Sequence, residues 1–216
     1  MEQKKKIIFF DFDGVIADSF DVAFEINKII DHKIIVKKDF QDLFDGNIND
    51  WTKDTSYGEE EIKKINDDFF AKYIPQMKKV KIFPGMKEVI AELAKTYILL
   101  IISSTIISPI RDFLNRNNIF SYFDNIVGSN FVDANKAERI KMVLEKYGVD
   151  IKDCVFITDT LGDMREAASL GIQSIGVTWG FQEKENLLKG NPFHIAEKAE
   201  DLNSIISECF KKLDQK

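Results

Sequence analysis

Short apolar runs alternate with stretches of helical periodicity along most of the chain. Six runs predict buried β-strands, at residues 6–10, 98–102, 125–127, 154–158, 174–177 and 193–196. Between them, apolar side chains recur at helical spacing, as in the stretches 140–147, 164–168 and 202–213. Continuously apolar strands that alternate with amphipathic helices are typical of a parallel sheet covered on both faces. The pattern therefore predicts a three-layer α/β fold.

Residues 17–82 break this alternation. Two stretches there have helical periodicity, one marked by Phe20 and Phe24 and the other by Ile65 and Phe69. Between them lies a polar, turn-rich stretch at 44–51, and no strand alternation is visible. We therefore expect residues 17–82 to form a helical domain inserted after the first strand. Residues 1–16 and 83–216 are expected to form the α/β core domain.

The composition limits the classes of function. The 216 residues carry 30 Lys and Arg against 36 Asp and Glu, and this net charge of −6 argues against a nucleic-acid partner. The apolar runs are far shorter than the roughly 20 residues of a transmembrane helix, so we expect no membrane partner. Cys154 and Cys209 lack metal-ligand spacing and are predicted to be buried thiols, as in a reducing compartment. We expect a cytoplasmic protein, monomeric or dimeric.

Polar and charged side chains follow the predicted strands at the points where the strands end. In a parallel sheet the carboxyl ends of the strands meet at one edge, where ligands bind. Taken singly, each of these residues fits a turn, a helix cap or a solvated surface charge, but their convergence favours a shared chemical role. The residues are Asp11 and Asp13 after the first strand, Ser103 and Ser104 after the second, Lys136 after the third, and Asp159 and Asp163 after the fourth.

This combination favours phosphoryl transfer to a carboxylate. Asp11 would attack phosphorus and form an aspartyl-phosphate, which splits one difficult displacement into two easier ones. Asp13 would protonate the leaving alkoxide and then deprotonate the water that hydrolyses the intermediate. Lys136, Ser103 and the backbone N–H groups near Ser104 would hold the charged phosphate oxygens.

The same set of acids calls for a cation. Asp159 and Asp163 beside Asp11 would crowd negative charge at the edge of the sheet, and a hard divalent cation would relieve the repulsion. Oxygen ligands next to a phosphate group favour Mg²⁺ over zinc. The predicted cofactor is therefore Mg²⁺.

Four short motifs occur in order along the chain: Asp11-Phe12-Asp13-Gly14-Val15, Ser103 after an apolar strand, Lys136, and Asp159-x-x-x-Asp163. In these motifs the sequence resembles the haloacid dehalogenase-type (HAD) hydrolases over nearly its whole length. The insertion resembles the helical cap of the phosphoglycolate phosphatase-like branch of that superfamily. The resemblance implies a Rossmann-like α/β core with an inserted helical cap domain.

The resemblance also implies a role for each motif residue. Asp11 is implied to be the nucleophile, and Asp13 the acid/base that also binds the metal through its backbone carbonyl. Asp11 and Asp159 are implied to bind Mg²⁺ with support from Asp163. The residues implied to bind phosphate are Ser103 and Lys136.

The function implied by the resemblance is a Mg²⁺-dependent phosphatase that hydrolyses the phosphate monoester of a small metabolite. Two alternatives stay open: a sugar-phosphate mutase of the same superfamily, and a catalytically silent regulator that binds a phosphate ligand. The cap offers Asn47 and Asn49 rather than an arginine, which disfavours the mutase because a mutase must hold a second phosphate. Thr158 departs from the family pattern, in which glycine or glutamate commonly precedes the metal-binding aspartate. We expect cap residues between Gly46 and Tyr57 to determine substrate specificity. Trp51 in this stretch is a candidate to line the substrate side of the cap.

Overall fold

A computed structural model describes residues 6–31, 33–46, 58–129 and 135–215 of the chain. The strands in these ranges are β1 (Ile7–Phe10), β2 (Ala17–Asp18), β3 (Lys81–Ile82), β4 (Ile98–Ile102), β5 (Asn125–Val127), β6 (Cys154–Thr158), β7 (Gln173–Val177) and β8 (His194–Ala196). Six of them form one sheet in the order β5-β4-β1-β6-β7-β8, and every neighbouring pair in it is parallel.

Helices cover both faces of this sheet. The helices after the insertion are α4 (Met86–Leu93), α5 (Ile107–Arg116), α6 (Lys136–Tyr147), α7 (Leu161–Ser169), α8 (Lys184–Leu188) and α9 (Leu202–Leu213). Alternate residues of β1 face opposite sides, as a strand requires. Ile8 and Phe10 join the cluster that contains residues of α4, α5 and α9, whereas Ile7 and Phe9 join the cluster with α6 and α7. The predicted three-layer α/β fold is confirmed.

The stretch between β2 and β3 contains the helices α1 (Phe20–Ile30), α2 (Lys37–Asp42) and α3 (Glu59–Gln76). β2 and β3 pair antiparallel, with Ala17 opposite Ile82 and Asp18 opposite Lys81, so the beginning and the end of this insertion are joined. The sequence shows no strand alternation in residues 17–82, and the structure adds this short strand pair at the two ends of the stretch. Two-residue strands are too short to leave an alternating pattern in a sequence.

The sequence pattern located the six strands of the main sheet well. Three predicted ranges agree with β4, β5 and β6, and the other three differ from β1, β7 and β8 by one residue at one end. Pro109 lies in the first turn of α5, where the missing N–H group is tolerated. Within the described ranges, no helix combines the length and the apolar character that crossing a bilayer requires.

Candidate active site

The strand order brings the predicted residues to one edge of the sheet. β1 lies between β4 and β6, and the chain passes from β1 to β4 on one side and only later to β6 on the other. Ligands bind at such a switch point, beyond the carboxyl ends of the strands. The loops that begin at Asp11, Ser103 and Asp159 all leave the sheet there.

Lys136 lies between two of the predicted acids. Its Nζ atom is 2.7 Å from Oδ2 of Asp11 and 2.6 Å from Oδ2 of Asp163, and its side chain is 6% exposed. Lys136 is also the first residue of α6, where the helix dipole disfavours a cation. The two carboxylates offset both this dipole and the cost of burying the ammonium group. The sequence-predicted residues Asp11, Lys136 and Asp163 are thus in direct contact.

The residues around Lys136 determine where α6 begins. Oδ1 of Asn135 accepts a hydrogen bond from the N–H of Glu138 at 2.9 Å, and Oε2 of Glu138 accepts one from the N–H of Asn135 at 3.0 Å. This reciprocal capping box satisfies two N–H groups at the start of the helix. The buried guanidinium group of Arg139 donates to the carbonyl of Ser103 and ties α6 to the loop after β4. These contacts hold Lys136 at a fixed position.

Burial and charge shift the pKa values of this ion cluster in different directions. Burial raises the pKa of Asp11 well above its ordinary value; Lys136 opposes the shift, and the charges of Asp163 and Asp159 add to it. Burial would also raise the pKa of Asp163, but the charge and hydrogen bond of Lys136 hold it below its ordinary value. Burial disfavours the ammonium form of Lys136, yet Asp11 and Asp163 raise its pKa above the usual lysine value. Lys136 is therefore a cation at neutral pH.

Thr158 supports the same cluster. Its Oγ1 donates a hydrogen bond to Oδ2 of Asp163 at 2.9 Å and accepts one from the N–H of Thr160 at 3.3 Å. The departure from the family pattern at this position therefore has a local role, because the hydroxyl orients Asp163.

Asp159 is fully buried beside two glycines. Its Oδ2 accepts a hydrogen bond from the N–H of Phe181 at 2.7 Å. A Cβ atom on Gly14 would lie 1.9 Å from this oxygen, and one on Gly180 would lie 2.3 Å from it. Gly14 also has φ of +74°, a conformation that side chains disfavour. No residue with a side chain fits at either position, so the two glycines are what allows Asp159 to reach the site.

The other carboxylate oxygen of Asp159 is in a different situation. Oδ1 is buried, and no hydrogen-bond donor from the described part of the chain reaches it. Burial raises the pKa of Asp159 to about 7, although the hydrogen bond from Phe181 opposes the shift, and the negative charge of Asp163 adds to it. A buried carboxylate oxygen without a donor is costly unless it binds a proton or a cation.

These residues fit a hard divalent cation. The atoms available as metal ligands are oxygens, which hard cations prefer. Oδ1 of Asp159, which has no hydrogen-bond donor, lies in the same carboxylate cluster as Asp11. Across the described ranges, no group of three or more His, Cys, Asp and Glu side chains has metal-binding geometry. Oδ2 of Asp163 is held by Lys136 and Thr158, and both oxygens of Asp13 are also engaged. Both oxygens of Asp11 accept hydrogen bonds as well, Oδ1 from the N–H of Phe12 and Oδ2 from Lys136, so the oxygen that fits a metal best is Oδ1 of Asp159. Mg²⁺ commonly keeps water in its remaining positions.

Three hydroxyl groups donate hydrogen bonds to the carboxylate of Asp13. Its Oδ1 accepts hydrogen bonds from Oγ of Ser19 at 2.7 Å and from the phenol of Tyr73, and its Oδ2 accepts one from Oγ1 of Thr105 at 2.6 Å. The three donors come from the start of the insertion, from α3 and from the loop after β4. Burial raises the pKa of Tyr73 well above its ordinary value, so its hydroxyl remains a donor at neutral pH. Asp13 is thus oriented from three directions.

The two serines after β4 differ in their surroundings. Ser103 is 1% exposed, and its Oγ accepts a hydrogen bond from the N–H of Thr105 at 3.0 Å. Ser104 is half-buried. The residues from 47 to 57, which include Asn47, Asn49 and Trp51, lie outside the described part of the chain.

Sequence reasoning missed several residues of the site. Tyr73 gave no signal, because a tyrosine on an apolar helical stripe is ordinarily part of the core. Thr105 directly follows the Ser103-Ser104 pair, and that proximity was the one signal that could have found it. Phe181 acts through its backbone N–H group, which no side-chain motif reveals.

Comparisons with known proteins agree with this geometry. A model of the haloacid dehalogenase-like hydrolase family matches residues 8–177. The chain is 29% identical over 114 residues to "Probable phosphatase IndB" of Dickeya dadantii, a match that covers 51% of the chain and 50% of the relative. It is 22% identical over 148 residues to a phosphoglycolate phosphatase of Vibrio parahaemolyticus, covering 67% of the chain. The chain spans 50% and 64% of the length of these two relatives.

The fold is also found in solved structures. A haloacid dehalogenase-like family hydrolase from Streptococcus pneumoniae superposes with a TM-score of 0.76 at 25% identity, covering 94% of this chain and 98% of that one. The family model covers far more than half of the chain and includes the Asp11, Lys136 and Asp159 positions. The chain belongs to the haloacid dehalogenase-like hydrolase family.

Proposed function

We propose that this protein is a Mg²⁺-dependent phosphatase that releases phosphate from a small phosphorylated metabolite through an aspartyl-phosphate on Asp11. The observation that carries the proposal is the buried contact of Lys136 with Asp11 and Asp163 at the switch point of the sheet. A buried cation beside a carboxylate nucleophile stabilises the negative charge of a bound phosphate group while the carboxylate attacks phosphorus. The relatives named phosphoglycolate phosphatase support a substrate of that kind, a small organic phosphate monoester.

In the first step an oxygen of Asp11 attacks phosphorus, and the bond from phosphorus to the alkoxide breaks. Asp13 donates a proton to the leaving oxygen, which departs as an alcohol. The hydroxyl groups of Ser19, Tyr73 and Thr105 support this role because they hold the Asp13 carboxyl in one orientation. Lys136 stabilises the negative charge that spreads over the phosphate oxygens.

In the second step Asp13, now ionised, takes a proton from a water molecule. The resulting hydroxide attacks phosphorus, the Asp11–phosphate bond breaks, and inorganic phosphate leaves. Both carboxyl groups return to their starting states, so the cycle consumes one water molecule. Ser103, the backbone near Ser104 and Lys136 are proposed to bind the phosphate group through both steps.

The metal site belongs to the same proposal. Asp11, Asp159 and the backbone carbonyl of Asp13 would hold Mg²⁺, and Asp163 would support the site from its contact with Lys136. Bound there, the cation would neutralise the carboxylates and the phosphate oxygens. The orphaned Oδ1 atom of Asp159 supports this assignment. The insertion of residues 17–82 is proposed to act as a cap domain that excludes bulk water from the reaction.

Hydrolysis of p-nitrophenyl phosphate tests the proposal. We expect release of p-nitrophenol to require Mg²⁺, to be abolished in Asp11→Asn, and to fall by about 10²–10⁴-fold in Asp13→Asn. The exposed Asp42→Asn variant is the matched control and should keep wild-type activity. Turnover that survives in Asp11→Asn contradicts the mechanism.

A panel of phosphorylated metabolites separates the two alternatives. A mutase would yield an isomerised sugar phosphate instead of free phosphate. A silent regulator would bind phosphate esters tightly and turn over none of them. Release of inorganic phosphate with a kcat/KM that depends on the ester favours the phosphatase.

A further inference from the structure

The segment that follows β7 connects the insertion to Asp159. The side chain of Gln182 is 2% exposed, and each of its polar atoms has a partner. Its Oε1 accepts a hydrogen bond from the N–H of Leu161 at 2.7 Å, at the start of α7. Its Nε2 donates to Oδ1 of Asp45 at 2.7 Å and to the carbonyl of Gln41 at 3.0 Å. One buried amide thus joins the core to the insertion.

The backbone of the preceding residue makes a second link. The N–H of Phe181 donates to Oδ2 of Asp159, and its carbonyl accepts a hydrogen bond from Nε2 of Gln41, each at 2.7 Å. Asp45 is held further by Nδ2 of Asn186 at 3.0 Å and, at its carbonyl, by Arg165. The insertion therefore contacts the residue that holds the carboxylate of Asp159.

Aromatic packing reinforces this contact. The ring of Phe181 packs edge-on against Phe20 and Phe44, with both pairs of ring centroids 5.1 Å apart, and lies 5.9 Å from Phe40. These three phenylalanines belong to the insertion. The backbone of Gly46 also approaches α7 so closely that a Cβ on Gly162 would lie 2.0 Å from its carbonyl oxygen. The segment 41–46 is therefore packed tightly on the loops of the site.

The hydrogen bonds of Gln182 and Phe181 tie the loop after β7 to segment 41–46. When segment 41–46 moves away, Nε2 of Gln182 loses both of its acceptors, the carbonyl of Gln41 and Oδ1 of Asp45. The carbonyl of Phe181 loses the donor from Gln41 in the same motion. The peptide segment that holds Asp159 is thus fully hydrogen-bonded only while the insertion is docked.

We propose that Gln182 is a positioning residue that couples docking of segment 41–46 to the orientation of Asp159 for its metal. The coupling rests on the metal site of the proposed function and adds a reciprocal effect to it. Docking of the insertion tightens metal binding, and metal binding favours the docked insertion by the same factor. On the insertion side, Asp45 binds the amide of Gln182. Gln182 in turn binds the start of α7 and directly follows Phe181, whose N–H holds the carboxylate of Asp159.

Calorimetric titration of the metal-free protein with Mg²⁺ tests the coupling without any substrate. In Asp45→Ala the dissociation constant of Mg²⁺ should rise at least about fivefold, because the anchor of Gln182 is lost. Asp45→Asn keeps an oxygen acceptor for Gln182 and Asn186, so it should restore Mg²⁺ affinity to within about twofold of wild type. Asp42→Ala is the matched control, since Asp42 is exposed and pairs with Lys38 at the surface. Gln182→Met should weaken Mg²⁺ binding as Asp45→Ala does.

Hydrogen exchange gives a second readout that a merely structural role would not change. Saturating Mg²⁺ should slow amide exchange across residues 37–46 in the wild type and in Asp42→Ala, and should not slow it in Asp45→Ala. Mg²⁺ affinity within about twofold of wild type in both Asp45→Ala and Gln182→Met overturns the coupling and leaves the phosphatase proposal intact. A wild-type protein that binds no Mg²⁺ overturns the metal site and the coupling together.

Discussion

The phenol of Tyr73 donates a hydrogen bond to the carboxylate of Asp13, which lies 60 residues earlier in the chain. Tyr73 belongs to α3 of the insertion and is 1% exposed, whereas Asp13 belongs to the loop after β1 in the core. The insertion thus contacts the proposed acid/base directly. It reaches the site at a second point through Gln41 and Asp45, which bind the segment that holds Asp159.

Loss of the Tyr73 hydroxyl should slow turnover more than it weakens substrate binding. A hydrogen bond to a charged group contributes about 1.5–3 kcal/mol, so Tyr73→Phe should lower kcat by roughly tenfold to a hundredfold with little change in KM. Steady-state kinetics on p-nitrophenyl phosphate measure both. Tyr122→Phe, a change of the same chemistry outside the site, is the control. An unchanged kcat in Tyr73→Phe would show that the hydrogen bond from Tyr73 to Asp13 has no part in the reaction.

Gly14 should tolerate no side chain. A Cβ there would lie 1.9 Å from Oδ2 of Asp159, so Gly14→Ala should displace this carboxylate and weaken Mg²⁺ binding strongly. Gly148 is the matched control: its φ is +60°, and apart from its neighbours in the chain no described residue has an atom within 4 Å of the position of its Cβ. Gly148→Ala should therefore cost only the roughly 1–2 kcal/mol of left-handed backbone strain and leave Mg²⁺ affinity unchanged. Equal effects of the two substitutions on Mg²⁺ binding would contradict the close approach to Asp159.

Removal of the Lys136 charge should affect both stability and activity. Lys136→Met leaves Asp11 and Asp163 buried without their cation, and breaking a buried ion pair in this way costs about 3–5 kcal/mol. Urea unfolding should report this loss at pH 7, and phosphatase activity should be abolished. Added Mg²⁺ should recover part of the stability, because it supplies charge to the same carboxylates. Lys38→Met, at an exposed surface pair, should change neither property.

The metal-free protein should lose stability as the pH rises. The pKa of Asp159 is about 7 in the folded protein and near 3.8 ordinarily, so the folded state binds more protons between these values. Stability therefore falls as the pH rises from about 4 to about 7, and levels off above that range. The raised pKa of Asp11 acts in the same direction. Thermal unfolding with and without Mg²⁺ should show the largest stabilisation by Mg²⁺ above pH 7, and Asp159→Asn should flatten the pH dependence. A metal-free wild type that is more stable at pH 8 than at pH 5 would contradict this assignment.

The sheet and much of the site could be predicted from the sequence. Buried parallel strands such as β4 and β6 are continuous apolar runs, and the residues that end them must meet at one edge. That rule places Asp11 at this edge, and it directs the starts of α6 and α7, which carry Lys136 and Asp163, to the same edge. The β2–β3 pair could not be predicted, because its strands have two residues each and are defined by pairing across the insertion.

The contacts between insertion and core were also beyond sequence reasoning. Tyr73 has the pattern of a core residue, and only the packing of α3 on the core reveals its hydrogen bond to Asp13. Gln182 looks like an ordinary polar loop residue, and its burial depends on the position of Asp45, 137 residues away. Such roles come from tertiary packing, which local periodicity does not encode.

The covalent intermediate on Asp11 is the central claim, and chemical trapping tests it most directly. Enzyme mixed with Mg²⁺ and a rapidly hydrolysed phosphate ester is quenched in acid during turnover and reduced with borohydride, which converts an acyl-phosphate to an alcohol. Peptide mass spectrometry then locates the reduced side chain. We expect reduction at Asp11 in the wild type and none in Asp11→Asn. Phosphate release without reduction at Asp11, or with reduction at another carboxylate, would contradict the account.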